Sequence, residues 1–249
     1  MEVTEVDVVT VFVAALLTAL ATGLGALPLL FARASDRKAL GIANALASGV
    51  MLGASVSLTL EAVDRSGSRA ALGVAAGVVF ILVASRFLHS PRREFEVGSL
   101  RGEDAVKALL IVAVMTVHSV AEGVGVGAAF GGGETLGILI AVAIAVHNIP
   151  EGLAISLVLV PRGTSVPTAA GWSIFSSLPQ PLLAVPAFLF VDTFQGVLPA
   201  ALGFAAGAMA WMVARELLPE ALEQASARSV AATAIASFAA MLVFQAILL

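Results

Sequence analysis

Six stretches of this chain contain no Asp, Glu, Lys or Arg: residues 8–32, 39–60, 135–150, 163–191, 193–214 and 229–249. Several exceed the roughly 20 apolar residues that a helix needs to cross a bilayer. Nothing in water covers that much apolar surface. The composition agrees, with 59% apolar residues, 12% charged residues and a mean hydropathy of +1.03. Soluble domains carry about 25% charge. The runs do not alternate apolar with polar residues, so a transmembrane β-barrel is excluded. The expected fold class is an all-α polytopic membrane protein.

Eight spans are expected, near 8–31, 39–61, 70–88, 107–129, 136–160, 168–191, 194–217 and 229–248, all within one transmembrane domain. The start of the chain is acidic (Glu2, Glu5, Asp7) and lacks a basic leader. The first run is therefore expected to stay as a span. If the odd-numbered loops are cytoplasmic, eleven Lys and Arg face inside and two, Arg65 and Arg69, face outside. Both termini are then outside, and the sizeable cytoplasmic loop is 89–106, which holds His89. The chain has no Cys, which removes disulfides, thiolate metal sites and Cys nucleophiles. No basic stripe points to nucleic acid.

Within residues 117–152 one pattern occurs twice. His118-Ser119-Val120-Ala121-Glu122-Gly123 lies mid-way along the fourth span. His147-Asn148-Ile149-Pro150-Glu151-Gly152 lies mid-way along the fifth. Residues four apart share a helix face. Each span therefore presents one imidazole and one carboxylate on a common face. Ionisable groups at this depth are costly and mark functional sites. Two imidazoles and two carboxylates suit a borderline divalent cation such as zinc or ferrous iron. The rival reading is a kinked packing helix with a His–Glu hydrogen bond, which would leave a buried carboxylate without use. Pro150 has no N–H, so the Val146 carbonyl loses its helical partner.

Other polar groups lie at the same depth. Ser119 and Asn148 offer neutral oxygens, or serve only helix–helix hydrogen bonding. Met51 offers a thioether, or plain packing. Gln180 stands between Pro179 and Pro181, which predict a bent or broken sixth span. Glu216, Glu220 and Glu223 at the inner end of span seven, and Glu61 and Asp64 at the outer end of span two, read as vestibules or as solvated helix ends. Gly49-Val50-Met51 in span two and Gly207-Ala208-Met209 in span seven resemble each other in helices of opposite direction. That fits an inverted repeat around spans four and five.

These residues resemble the ZIP family of divalent metal transporters, in particular its prokaryotic GufA-like branch. The resemblance rests on the two His-x-x-x-Glu-Gly motifs, on Gly49-x-Met51, and on Gly207-Ala208-Met209 through Pro219-Glu220. It implies a 3+2+3 helix arrangement and transport of zinc, iron, manganese or cadmium toward the cytoplasm. It also implies an often binuclear site in spans four and five, and a unit of spans one, four, five and six that moves against the rest. His118, Glu122, His147 and Glu151 would be first-site ligands with Met51 nearby. Ser119, Asn148 and Gln180 would occupy the second-site positions. Many members have Asn at the place of Ser119 and Glu at the place of Gln180, so this second site carries less carboxylate charge. The His-rich cytoplasmic loop of the family is absent.

The expectation is a multi-pass plasma-membrane carrier with the metal as substrate and no separate cofactor. A homodimer is compatible on general grounds. No ATP motif is present, so a gradient would drive transport. The rivals are a metal-gated or proton channel, which would not saturate, and an intramembrane metal-dependent hydrolase. The latter would need a metal-bound water and a base, and the His-Glu-x-x-His signature is absent.

Overall fold

The structure is a computed structural model that describes residues 6–31, 37–88 and 102–248. His89 and most of the loop 89–106 lie outside them. Among the described residues, seven helical segments are long and apolar enough to cross a membrane. The described residues form no strand, and the chain is a helical, polytopic membrane protein.

The helices are α1 (Val8–Leu24), α2 (Arg37–Leu88), α3 (Gly102–Gly131), α4 (Glu134–Leu159), α5 (Val166–Ser177), α6 (Pro179–Thr193), α7 (Leu198–Met212), α8 (Leu218–Gln224) and α9 (Ala227–Leu248). α3 starts five residues before the expected span, so the end of the expected loop is helical. Asp7 caps α1 by accepting from the Thr10 N–H at 2.6 Å. That bond holds its carboxyl below the usual carboxylate range. The cap therefore strengthens above the ordinary carboxylate pKa and is lost on acidification.

α2 contains 52 residues, a length of about 78 Å at 1.5 Å per residue. No single crossing of a hydrocarbon core of about 30 Å accommodates that. The solution is a break at Ser66, whose backbone is extended (φ −167°, ψ 104°). Arg37 at one end of α2 bonds Gln224, and Ser85 near the other end bonds Glu216, both at 3.0 Å. Between them, Arg69 donates to the Gly196 carbonyl at 2.9 Å. The two ends of α2 thus share one side of the bundle with α8, while the break lies on the opposite side. The chain turns back at Ser66.

The two arms then pair with different helices through small residues, which let backbones approach. A Cβ on Gly73 or Gly77 of the second arm would lie 2.1 Å from the Ala200 or Phe204 carbonyl of α7. A Cβ on Gly49 of the first arm would lie 2.2 Å from the Ala234 carbonyl of α9. α9 is the periphery, with Ile235, Val243 and Ile247 exposed as lipid-facing residues must be.

The sixth expected span is broken, as its prolines imply. α5 ends at Ser177 and α6 begins at Pro179. α4 by contrast stays helical through Pro150. The seventh expected span also differs from a simple helix. A π turn at Val213–Leu217 joins α7 to α8, two residues before Pro219. A π turn adds one residue to the winding and is common near functional sites.

Candidate metal centre

α3 and α4 lie side by side in the interior, and each brings its motif to the same depth. His118, Glu122, His147 and Glu151 are all fully buried. One ligand atom from each can be chosen so that all lie within 4.8 Å of one another. The His147 Nε2 is 2.6 Å from Glu122 Oε1, and the His118 Nε2 is 3.0 Å from the same oxygen. The second contact is close but poorly aligned, and His118 has no hydrogen-bond partner on either ring nitrogen.

The glycine after each glutamate explains how the site is assembled. A Cβ on Gly123 would lie 2.8 Å from the Gln180 carbonyl, so only glycine lets α6 reach Glu122. A Cβ on Gly152 would lie 1.7 Å from the Thr22 carbonyl of α1. The motif therefore encodes a ligand pair and a helix crossing together.

Those crossings bring in a polar relay. Gln180 Nε2 donates to Glu122 Oε2 at 2.5 Å. Asn148 Nδ2 donates to Gln180 Oε1 at 3.1 Å and to the Thr18 carbonyl at 2.7 Å. The Thr18 hydroxyl also bonds Gln180 Oε1. One turn further along α1, the Thr22 and Ser177 hydroxyls bond at 2.8 Å.

What remains unpaired marks the centre. Both Glu151 oxygens, Nδ1 of His147, Oδ1 of Asn148 and Oγ of Ser119 are buried without a hydrogen-bond partner. Buried polar atoms are normally paired. Two unpaired Glu151 oxygens within a converging group of two imidazoles and two carboxylates fit a cation. Imidazole and carboxylate donors without any sulfur from Cys suit a borderline divalent ion.

Among the predicted residues, Gln180 and Asn148 are thus joined to the cluster by bonds. Ser119 sits next to His118 with its hydroxyl unpartnered. Met51 is buried in an apolar cluster with Met115, Ile144, Ile155 and Met209. A cavity of about 430 Å³ opens where α3, α4 and α8 meet. It is lined by Glu216, Glu220, Glu223, Arg162, Arg215 and Met115, among others. Met115 is one helical turn from His118, so the cavity reaches to within a turn of the centre. Glu61 instead forms an exposed ion pair with Arg65 at 2.7 Å, a solvated helix end.

Sequence reasoning missed two residues. Thr18 stands at a separation of four from Thr22 in an otherwise aliphatic run, and that spacing was the available signal for a polar face. Asn44 of α2 is buried with its amide nitrogen unpartnered.

Residues 93–247 match the family model for the ZIP zinc transporter. That match takes in both motifs, Gln180 and the π turn. This chain belongs to the ZIP family. It is also 48% identical over 240 residues to the candidate zinc transporter At3g08650 of Arabidopsis thaliana. The alignment takes in 95% of this chain and 38% of that protein, so the chain spans well under half of its relative. ZIP family members are transporters of metal ions, and the buried His/Glu cluster of this member is a fitting place to hold one.

Proposed function

We propose that this ZIP protein is a carrier that moves divalent transition metal ions, zinc foremost, toward the cytoplasm by alternating access. The ion is held by His118, Glu122, His147 and Glu151. Ser119, Asn148, Gln180 and Met51 stand around it. One observation carries the reading. Four potential ligand groups from two helices converge within 4.8 Å in a fully buried position, and both Glu151 oxygens lack a hydrogen-bond partner among the described residues.

The geometry favours a carrier over a pore. A site with no exposed ligand must open and close to load and release. The acidic cavity beside Met115 lies on the side where the positive-inside rule places the cytoplasm, and it fits a release vestibule.

The turn at Ser66 supports counting α2 as two crossings, which gives eight spans with both ends of the chain outside. The glycine pairings support a 3+2+3 inverted repeat. Gly49 of span two packs on span eight, and Gly207 of span seven packs on span three, with a Cβ 2.3 Å from the Val74 carbonyl. Exchanging two with seven and three with eight maps one contact onto the other. The plasma membrane is the proposed location.

The test is metal uptake into proteoliposomes of the purified protein, offering zinc, ferrous iron, manganese and cadmium separately, with Glu151→Ala alongside. Saturable uptake that is lost in the variant is the expected result. Uptake that rises without saturation would instead make the protein a channel.

A further inference from the structure

We propose that Gln180 and Thr18 are positioning residues, and that the centre takes one divalent ion at a time. A run of hydrogen bonds from the Thr18 carbonyl fixes the Gln180 amide on one oxygen of Glu122 and leaves the other oxygen for the ion. The inference rests on the metal-carrier reading above.

The sense of each bond follows from its two ends. A backbone carbonyl only accepts. The Thr18 carbonyl at 2.7 Å therefore requires the NH2 of Asn148 on that side. The same NH2 lies 3.1 Å from Gln180, so Gln180 must present its oxygen there. The one hydrogen of the Thr18 hydroxyl, shared with the Ala15 carbonyl at 2.7 Å, reaches that oxygen as well. With its oxygen engaged twice, Gln180 turns its own NH2 onto Glu122 Oε2 at 2.5 Å. A carboxylate also only accepts, so the polarity is consistent at both ends of the relay. No member could be turned over without setting two donors or two acceptors face to face.

This arrangement divides the two oxygens of Glu122. Oε2 is occupied by an amide, and Oε1 faces both imidazoles. A second ion beside Gln180 would have to displace the amide from Oε2. It would also need the Gln180 oxygen that Thr18 and Asn148 already hold. Three buried hydrogen bonds would break, and among the described residues no carboxylate besides Glu122 and Glu151 is buried at the centre to neutralise the second charge. Burying an unneutralised divalent cation is prohibitive. The neutral amide of Gln180 does part of what a second cation would do. It directs N–H dipoles at Glu122 and holds the carboxylate in place.

The experiment counts ions bound by the purified full chain in detergent, by titration calorimetry and elemental analysis, with zinc and with cadmium. One ion per wild-type chain is expected, and two for Gln180→Glu, whose carboxylate cannot donate to Oε2. Two ions in the wild type, or one in Gln180→Glu, would overturn the inference. Thr18→Val removes the hydroxyl at nearly constant volume. Loss of a bond that orients a ligand weakens metal binding by roughly tenfold, at unchanged stoichiometry, and Thr18→Ser restores it. An unchanged affinity in Thr18→Val, with only the melting temperature lowered, would make Thr18 structural and overturn its part. A wild type that binds one zinc but does not transport would count against the carrier reading alone. Transport with two bound zinc ions would count against this inference alone.

Discussion

His147 of α4 lies 2.6 Å from Glu122 of α3, on the very oxygen that His118 approaches to 3.0 Å. Glu122 is thereby the junction of the centre, since its second oxygen also receives the Gln180 amide. Glu151 occupies the equivalent place in its own motif, and neither of its oxygens has a hydrogen-bond partner among the described residues. The two glutamates should respond differently to removal. Glu122→Ala strands the His147 imidazole and the Gln180 amide, and buried hydrogen bonds to a charged group contribute about 1.5–3 kcal/mol each. The metal-free variant should melt well below the wild type. Glu151→Ala removes an unpaired buried carboxyl and should melt at or above the wild type. Both should lose metal uptake. Thermal denaturation in detergent with chelator, beside proteoliposome uptake, checks the contrast.

Metal binding at this centre should weaken on acidification. An imidazole nitrogen binds through its lone pair and a carboxylate as its anion, so every ligand must be free of its proton. Protons therefore compete with the metal, and the apparent Kd should rise as pH falls from 8 to 6. The rise is up to about tenfold per pH unit for each proton displaced. Calorimetry in buffers of different ionisation enthalpy reads the displaced protons directly. A Kd independent of pH would mean that the ion sits elsewhere.

Gly152→Ala should damage both stability and transport. Its Cβ would meet the Thr22 carbonyl at 1.7 Å and cannot be relieved by rotating a side chain. Forcing α1 from α4 costs about 1–3 kcal/mol as overpacking. It also carries Thr18 away from Asn148 and moves Glu151, the neighbouring residue. Gly67→Cys is the opposite case, because among the described residues nothing lies within 4 Å of its Cβ.

That open position serves to test the turn at Ser66. The chain has no native cysteine, so a single introduced one reports alone. In whole cells a membrane-impermeant maleimide should label Gly67→Cys from outside, and Arg86→Cys only after permeabilisation. Labelling of both from one side would rule out a double crossing by α2.

The four central residues were legible because polarity is expensive at mid-membrane, so a doubled His-x-x-x-Glu stands out against aliphatic surroundings. The break in the sixth span was legible from Pro179 and Pro181. The reversal in the second helix was legible as two apolar runs separated by Arg65 and Arg69. Its pivot at Ser66 was not, since serine carries no signature of a non-helical backbone. Thr18 was hidden because a threonine in an apolar helix ordinarily satisfies itself on its own backbone, as Thr18 also does with the Ala15 carbonyl at 2.7 Å. Only the crossing set by Gly152 shows what else its hydroxyl meets.

The π turn at Val213–Leu217 bears on how this protein can change over time. Taking one residue out of the turn would restore an ordinary helix and rotate everything after it by about 100° around the axis. Glu220 and Glu223 now line the cavity beside Met115. After such a deletion they would swing round toward lipid chains, with every residue of the acidic rim still present in the gene. The chemistry of that rim resides in a count of residues as much as in their identity. A one-codon deletion there should be more harmful than many substitutions on the rim itself.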